Sequence, residues 1–219
     1  DFFRRLSAGP VGEKIMKLPD NCYMPDMSDL AKHPLIPALA LSLMFSKGDQ
    51  FSEKAALYLR NFIRLIDKSI TEYLEARKMI LLQIEEKNRS SEEMQKNGRV
   101  LYILSFVDHA ENCVNTIRRL LHLLGSIKNE RMSPSIPKIP RKLIEAHRNI
   151  IKNIRDTIEH VNEKIQKDEH SKGEPIMLSL AEDEKSMVIC KQNLGFCDLE
   201  SVIRNFYDIG KYLIQCYRK

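Results

Sequence analysis

From Ser52 to Lys87 the chain holds one helical rhythm without a break. Ala55, Leu59, Phe62, Ile66, Ile70, Tyr73, Ile80 and Ile84 recur three or four positions apart, with Arg77 as a single polar interruption. That period belongs to a helix with one apolar face, not to a strand. Such a stripe has to be covered, so the rest of the chain is read for what covers it.

A second long helix follows the polar run EEKNRSSEE, with Leu104, Val107, Ala110, Val114, Ile117, Leu121 and Leu124 in the same rhythm and Gly125 near its end. The connector NERMSPSIPKIP carries three prolines and ends that run. A third helix starts near Pro140 on the stripe His147, Ile151, Ile154, Ile158, Val161 and Ile165, and QKDEHSKGE closes it. The period then changes: Pro175 to Leu180 and Met187 to Cys190 flank the polar AEDEKS, the pattern of a small β-hairpin. A last helix opens around Asp198, a good N-cap residue, and buries Leu199, Val202, Phe206, Ile209 and Leu213.

The expected fold is therefore mainly α, an antiparallel four-helix bundle of long helices with a β-hairpin before the last one. The bundle takes residues 51–219. Residues 1–50 form a loop-rich N-terminal extension broken by Pro10, Pro19, Pro25, Pro34 and Pro37, with a short apolar helix starting near Pro37.

Composition narrows the chemistry. A net charge of +5 permits contact with phosphate without demanding it. Neither G-x-x-x-x-G-K-[ST] nor G-x-G-x-x-G occurs, so no glycine loop cradles a nucleotide, and no cofactor is expected. The five cysteines are odd in number, form no C-x-x-C pair and do not cluster with histidine, so no metal site is expected. With no signal peptide at the N-terminus, reduced thiols in a cytoplasm are the expectation. The longest apolar stretch, Pro37 to Phe45, is too short to span a bilayer, and no membrane role is expected.

The third helix holds the main polar candidates, in the run Ile154 to Gln166. With Ile154 at the centre of the buried stripe, Arg155 and Glu159 share one flank while Asp156 and His160 share the other, each pair one turn apart. A carboxylate beside imidazole fixes its tautomer for acid–base work, and a guanidinium offers a planar fork for phosphate oxygens. The bland reading is two polar residues on the wet side of a bundle, with Arg155 and Glu159 an ordinary surface ion pair worth a few tenths of a kcal/mol. Other candidates are weaker. His147, paired by spacing with Arg141, falls on the apolar stripe; His109 follows Asp108; Asp108, Glu111 and Glu145 meet only in one helix register. Arg118 and Arg119 are adjacent, so they are expected to point apart into solvent.

The run Arg155-Asp156-Thr157-Ile158-Glu159-His160, on the penultimate helix of a bundle and followed by a hairpin and a closing helix, resembles the HEPN superfamily (higher eukaryotes and prokaryotes nucleotide-binding). The resemblance covers Ser52 to the C-terminus. It implies a metal-independent endoribonuclease or an RNA-binding relative, in which two protomers bring their Arg–His motifs to one cleft. Carried over by position, His160 handles the ribose 2′-OH or leaving-group proton, Arg155 holds the scissile phosphate, and Asp156 orients the site. Asparagine is common in the family where this chain has Asp156. The implied partners are RNA, a second copy of the chain and an antitoxin or other protein, in a defence or toxin–antitoxin setting. The alternative is a non-catalytic helical module for dimerisation or protein interaction.

Overall fold

The computed structural model describes residues 24–45, 51–168, 175–181 and 185–217. In chain order these form α1 (Ser28–Ala31), α2 (Leu35–Met44), α3 (Glu53–Lys87), α4 (Ser91–Asn97) and α5 (Tyr102–Asn129). There follow α6 (Lys138–Ala146), α7 (Arg148–Gln166), β1 (Ser179–Leu180), β2 (Ser186–Ile189), β3 (Gln192–Gly195) and α8 (Phe196–Cys216). The chain is mainly helical, with a small antiparallel sheet just before its last helix.

Helix α3 starts where the Ser52 side chain accepts the Ala55 N–H at 3.1 Å, satisfying one of the donors a helix start leaves free. Its stripe from Ala55 to Ile80 is buried, and Ile84 near its end is half-buried. A capping box between Ser90 and Glu93 opens the short α4, and α5 turns back along α3. The two long helices are antiparallel, as four contacts in reverse order show. Gln83 Oε1 accepts the Ile103 N–H, Glu72 meets His109, Cys113 Sγ lies 3.6 Å from Ser69 O, and Lys54 reaches Glu130. Along α5 the buried stripe begins at Ile103, while Leu104, expected inside, is exposed. Gly125 lies near the end of the helix, as expected, one turn before its last residue Asn129.

The third expected helix is two. The chain bends at His147 (φ −96°, ψ 0°), which ends α6 and starts α7. The break lets each half follow its own partner, with α6 packing on α8 and α7 packing on α5 and on β2 and β3. Only Ile151, Ile154 and Thr157 of α7 are buried; Ile158 and Val161 are half-buried and Ile165 is exposed.

The expected hairpin is a three-stranded sheet in the order β1-β2-β3. Ser179 pairs with Val188 and Leu180 with Met187, so the first strand is shorter than Pro175 to Leu180. The unanticipated β3 pairs Gln192 with Ile189 across a turn in which Cys190 takes φ +49°. Its sequence, QNLG, buries Leu194 and carries little of the β-branched signal that marks a strand. Gly195 is the N-cap of α8, which places Asp198 inside the first turn rather than at the cap. The expected stripe of α8 is buried throughout.

The described part of the first fifty residues packs into the same core through Met24, Met27, Leu30, Leu35 and Leu39. Helix α2 begins at Leu35, two residues before Pro37, and has no capping side chain of its own. The Asp67 carboxylate of α3 takes that role, accepting the Leu35 and Ile36 N–H groups at 2.9 and 2.8 Å. Tyr73 and Tyr207 donate to the carbonyls of Pro25 and His33, and Arg204 forks onto both Asp29 oxygens. Pro10 and Pro19 lie outside the described residues, as do half of the polar turn AEDEKS and much of QKDEHSKGE. Among the described residues no helix is long and apolar enough to cross a membrane.

Candidate functional site

Helix α7 packs Ile151, Ile154 and Thr157 into the core beside α5, β2 and β3, and leaves its other positions half-buried or exposed. Arg155 lies on the α5 side. Its Nη1 makes an ion pair with Glu159 one turn on, as the spacing required, and also meets Asp156 Oδ1 at 3.3 Å. All three side chains are part-exposed, so these pairs orient the guanidinium more than they stabilise the fold.

His160 finds a different neighbour from the one expected. Its Nδ1 lies 3.1 Å from Glu163 Oε1, and no contact with Asp156 forms. A carboxylate only accepts, so this contact places a proton on Nδ1, and Nε2 has no partner among the described residues. The ring is 53% exposed. It is available to a second molecule, but it does not border the same concavity as Arg155.

That concavity is an open cleft of about 310 Å³ between α5 and α7, lined by Asn115, Arg118, Arg119, His122, Arg155 and Glu159. Its α5 wall arises from spacing: positions 115, 118, 119 and 122 fall at i, i+3, i+4 and i+7 and share one face of the helix. Arg118 and Arg119 diverge and meet solvent as expected, Arg119 exposed and Arg118 half-buried, but neither leaves the cleft. They stand about 100° apart, but on either side of the line joining Asn115 and His122, so both border the cleft. The signal was present in the sequence as N-x-x-R-R-x-x-H, and what hid it was that its other wall comes from a helix some thirty-five residues later. Among the described residues no carboxylate pairs with Arg118 or Arg119. Three guanidiniums thus face one carboxylate in a concave site, a charge balance that attracts an anion.

The other polar candidates do not line the cleft. His109 Nδ1 lies 2.9 Å from Glu72 Oε2 across the α3–α5 seam, so its partner is not Asp108. Glu111 is half-buried, and burial with the neighbouring Asp108 charge pushes its carboxyl above the ordinary range. Glu145 is exposed on α6, and His147 sits at the α6–α7 bend. Burial pushes the Cys113 thiol up, and Cys113, Cys190, Cys197 and Cys216 are all free. Among the described residues no group of histidine, cysteine, aspartate and glutamate has the arrangement of a metal site.

No family model matches the chain, and neither a curated protein nor a solved structure matches it.

Proposed function

We propose that the protein is a HEPN-like RNA-binding protein that cuts RNA without metal, acting as a homodimer through Arg155, Asp156 and His160 of two protomers. The observation that carries this reading is the position of Arg155, off the core and on the wall of a cleft that also holds Arg118 and Arg119. In the proposed reaction a His160 imidazole takes the ribose 2′-OH proton, and the 2′ oxygen attacks phosphorus. The bond to the 5′ oxygen breaks, and the partner's His160 protonates that oxygen. Arg155 offsets the charge that builds on the phosphoryl oxygens, and Asp156 holds Arg155 in place.

The half-buried Ile158 and Val161 and the exposed Ile165 support a dimer, because the α7 stripe is left uncovered beyond the cleft. Within this reading α3, α5, α7 and α8 are the four helices of an antiparallel bundle. The antiparallel α3–α5 pair and the packing of α7 on α5 and α8 on α3 support that arrangement. Sedimentation at tens of micromolar tests the assembly: a dimer is expected, and a monomer would count against the two-protomer site.

One observation favours the second reading, a non-catalytic module for RNA binding, dimerisation or protein interaction. His160 faces Glu163 and lies outside the Arg155 cleft, so one protomer holds a binding surface without the acid–base group in it. RNA binding by the purified chain without any cleavage in EDTA would select it.

A further inference from the structure

We infer that the α5–α7 cleft is a phosphate-binding site complete within one protomer. In it Arg118, Arg119 and Arg155 supply charge, Asn115 and His122 supply directed hydrogen bonds, and Glu159 holds Arg155 until an anion displaces it. It rests on the RNA reading only for the identity of the molecule that carries the phosphate.

The site is built from two helices that the core fixes in place. Val114, Ile117, Leu120 and Leu121 anchor the α5 wall, and Ile151, Ile154 and Thr157 anchor the α7 wall, all of them buried. The polar groups therefore stand on rigid backbone rather than on loops. At about 310 Å³ the cleft lies near the bottom of the range of roughly 300–1,000 Å³ typical of small-molecule sites, which suits a phosphate and the sugar next to it.

The chemistry of the lining selects the ligand class. Guanidinium groups present planar donor forks that match two phosphate oxygens at once. Arg118 and Arg119 have no ion-pair or hydrogen-bond partner among the described residues, and the side chains of Asn115 and His122 are likewise unengaged. Asn115 has amide donors and His122 a ring N–H, so the cleft carries neutral donors at both ends of its α5 wall. Arg155 alone is occupied. Its pair with Glu159 is part-exposed, and such pairs are weak enough for a phosphate to replace the carboxylate.

Glu159 gives the inference its sharpest consequence. A residue that merely supports the fold would, on substitution, weaken binding or leave it unchanged. A carboxylate that competes with the ligand for Arg155 does the opposite, so Glu159→Gln is expected to tighten phosphate binding.

The experiment is fluorescence anisotropy of a labelled decauridylate across a range of salt, with inorganic phosphate and uridine monophosphate as competitors. Arg118→Ala and Arg119→Ala should each weaken binding by about tenfold, the loss of one charge-assisted hydrogen bond. Each should also make the slope of log Kd against log salt shallower by about 0.7, as expected for one lost phosphate contact on a single strand. Glu159→Gln should tighten binding several-fold. Displacement by inorganic phosphate or the mononucleotide would show that a free phosphate fills the site; resistance to both would show that it reads a polymer backbone. If the oligonucleotide binds while all three variants stay within twofold of wild type, the RNA reading stands and this site is wrong. If no probe binds, both fail. Arg119 is exposed and Arg118 half-buried, and circular dichroism confirms that each variant is folded.

Discussion

Arg155 and Glu159, one turn apart on α7, form an ion pair at the rim of the α5–α7 cleft, and 42% of the glutamate side chain is exposed. Exposed pairs of this spacing contribute about 0.3–0.5 kcal/mol. Glu159→Gln should therefore shift the thermal midpoint by no more than about 2 °C. Scanning calorimetry checks this, and a larger fall would mean that the pair holds the helix rather than the ligand site.

A second prediction concerns how α2 is seated. Gly210 of α8 leaves no room for a side chain: an added Cβ would lie 2.5 Å from Leu35 Cδ1 and 2.8 Å from Ile66 Cδ1. Both contacts are with terminal methyls of buried side chains, so Leu35 and Ile66 must turn within a packed core to make room. Gly210→Ala should cost about 1–3 kcal/mol, as overpacked cores do. Urea unfolding measures it, and an unchanged midpoint would show that the two methyls give way freely.

Arg204 ties the start of the described chain to α8 through Asp29 and the Asp26 carbonyl, while Glu200, one turn away on α8, holds its guanidinium. Arg204→Ala should speed amide exchange in residues 26–33 while leaving α3 and α5 protected, because the clamp touches only that segment. The Arg204 side chain holds the Asp29 carboxyl below its ordinary range, and the Ser28 N–H does the same for Asp26. A depressed carboxyl stabilises the fold above its unfolded value and loses that contribution as pH falls through the folded one. In the wild type, protection of this segment relative to the intrinsic exchange rate should accordingly fall below about pH 4.

Glu111 runs the other way. Burial and Asp108 raise its carboxyl, so its ionised form works against the fold, and wild type loses stability as pH rises through the folded value. Glu111→Gln should raise the unfolding midpoint at pH 7. The gain should vanish below about pH 4, where Glu111 is protonated in both the folded and the unfolded chain. A gain that persists in acid would point to packing instead.

Much of this architecture was legible because long stripes are redundant signals. On α3 and α8 nearly every residue named from the period is buried, and one misplaced position would not have changed the reading. Short features were not redundant. The bend at His147 carries no proline or glycine, and β3 offers only Leu194, so neither stood out. For the site, one helix was enough to expect the Arg155–Glu159 pair, since both ends lie on one turn. The rest needed tertiary structure. Arg118, Arg119 and His122 become a wall only once α5 is set beside α7, and His160 had both Asp156 and Glu163 within reach along its own helix.

The central claim, that Arg155 and His160 act on RNA, is tested most directly by cleavage of a labelled single-stranded RNA in EDTA. Wild type is compared with Arg155→Ala and His160→Ala, and anisotropy follows binding by the same proteins. Wild type should cut. His160→Ala should bind as before but cut about 10²–10⁴-fold more slowly, the range general acid–base catalysis supplies. Arg155→Ala should lose both binding and cleavage, since it removes a phosphate contact as well as charge stabilisation. Cleavage and binding by both variants at the wild-type level would contradict the account.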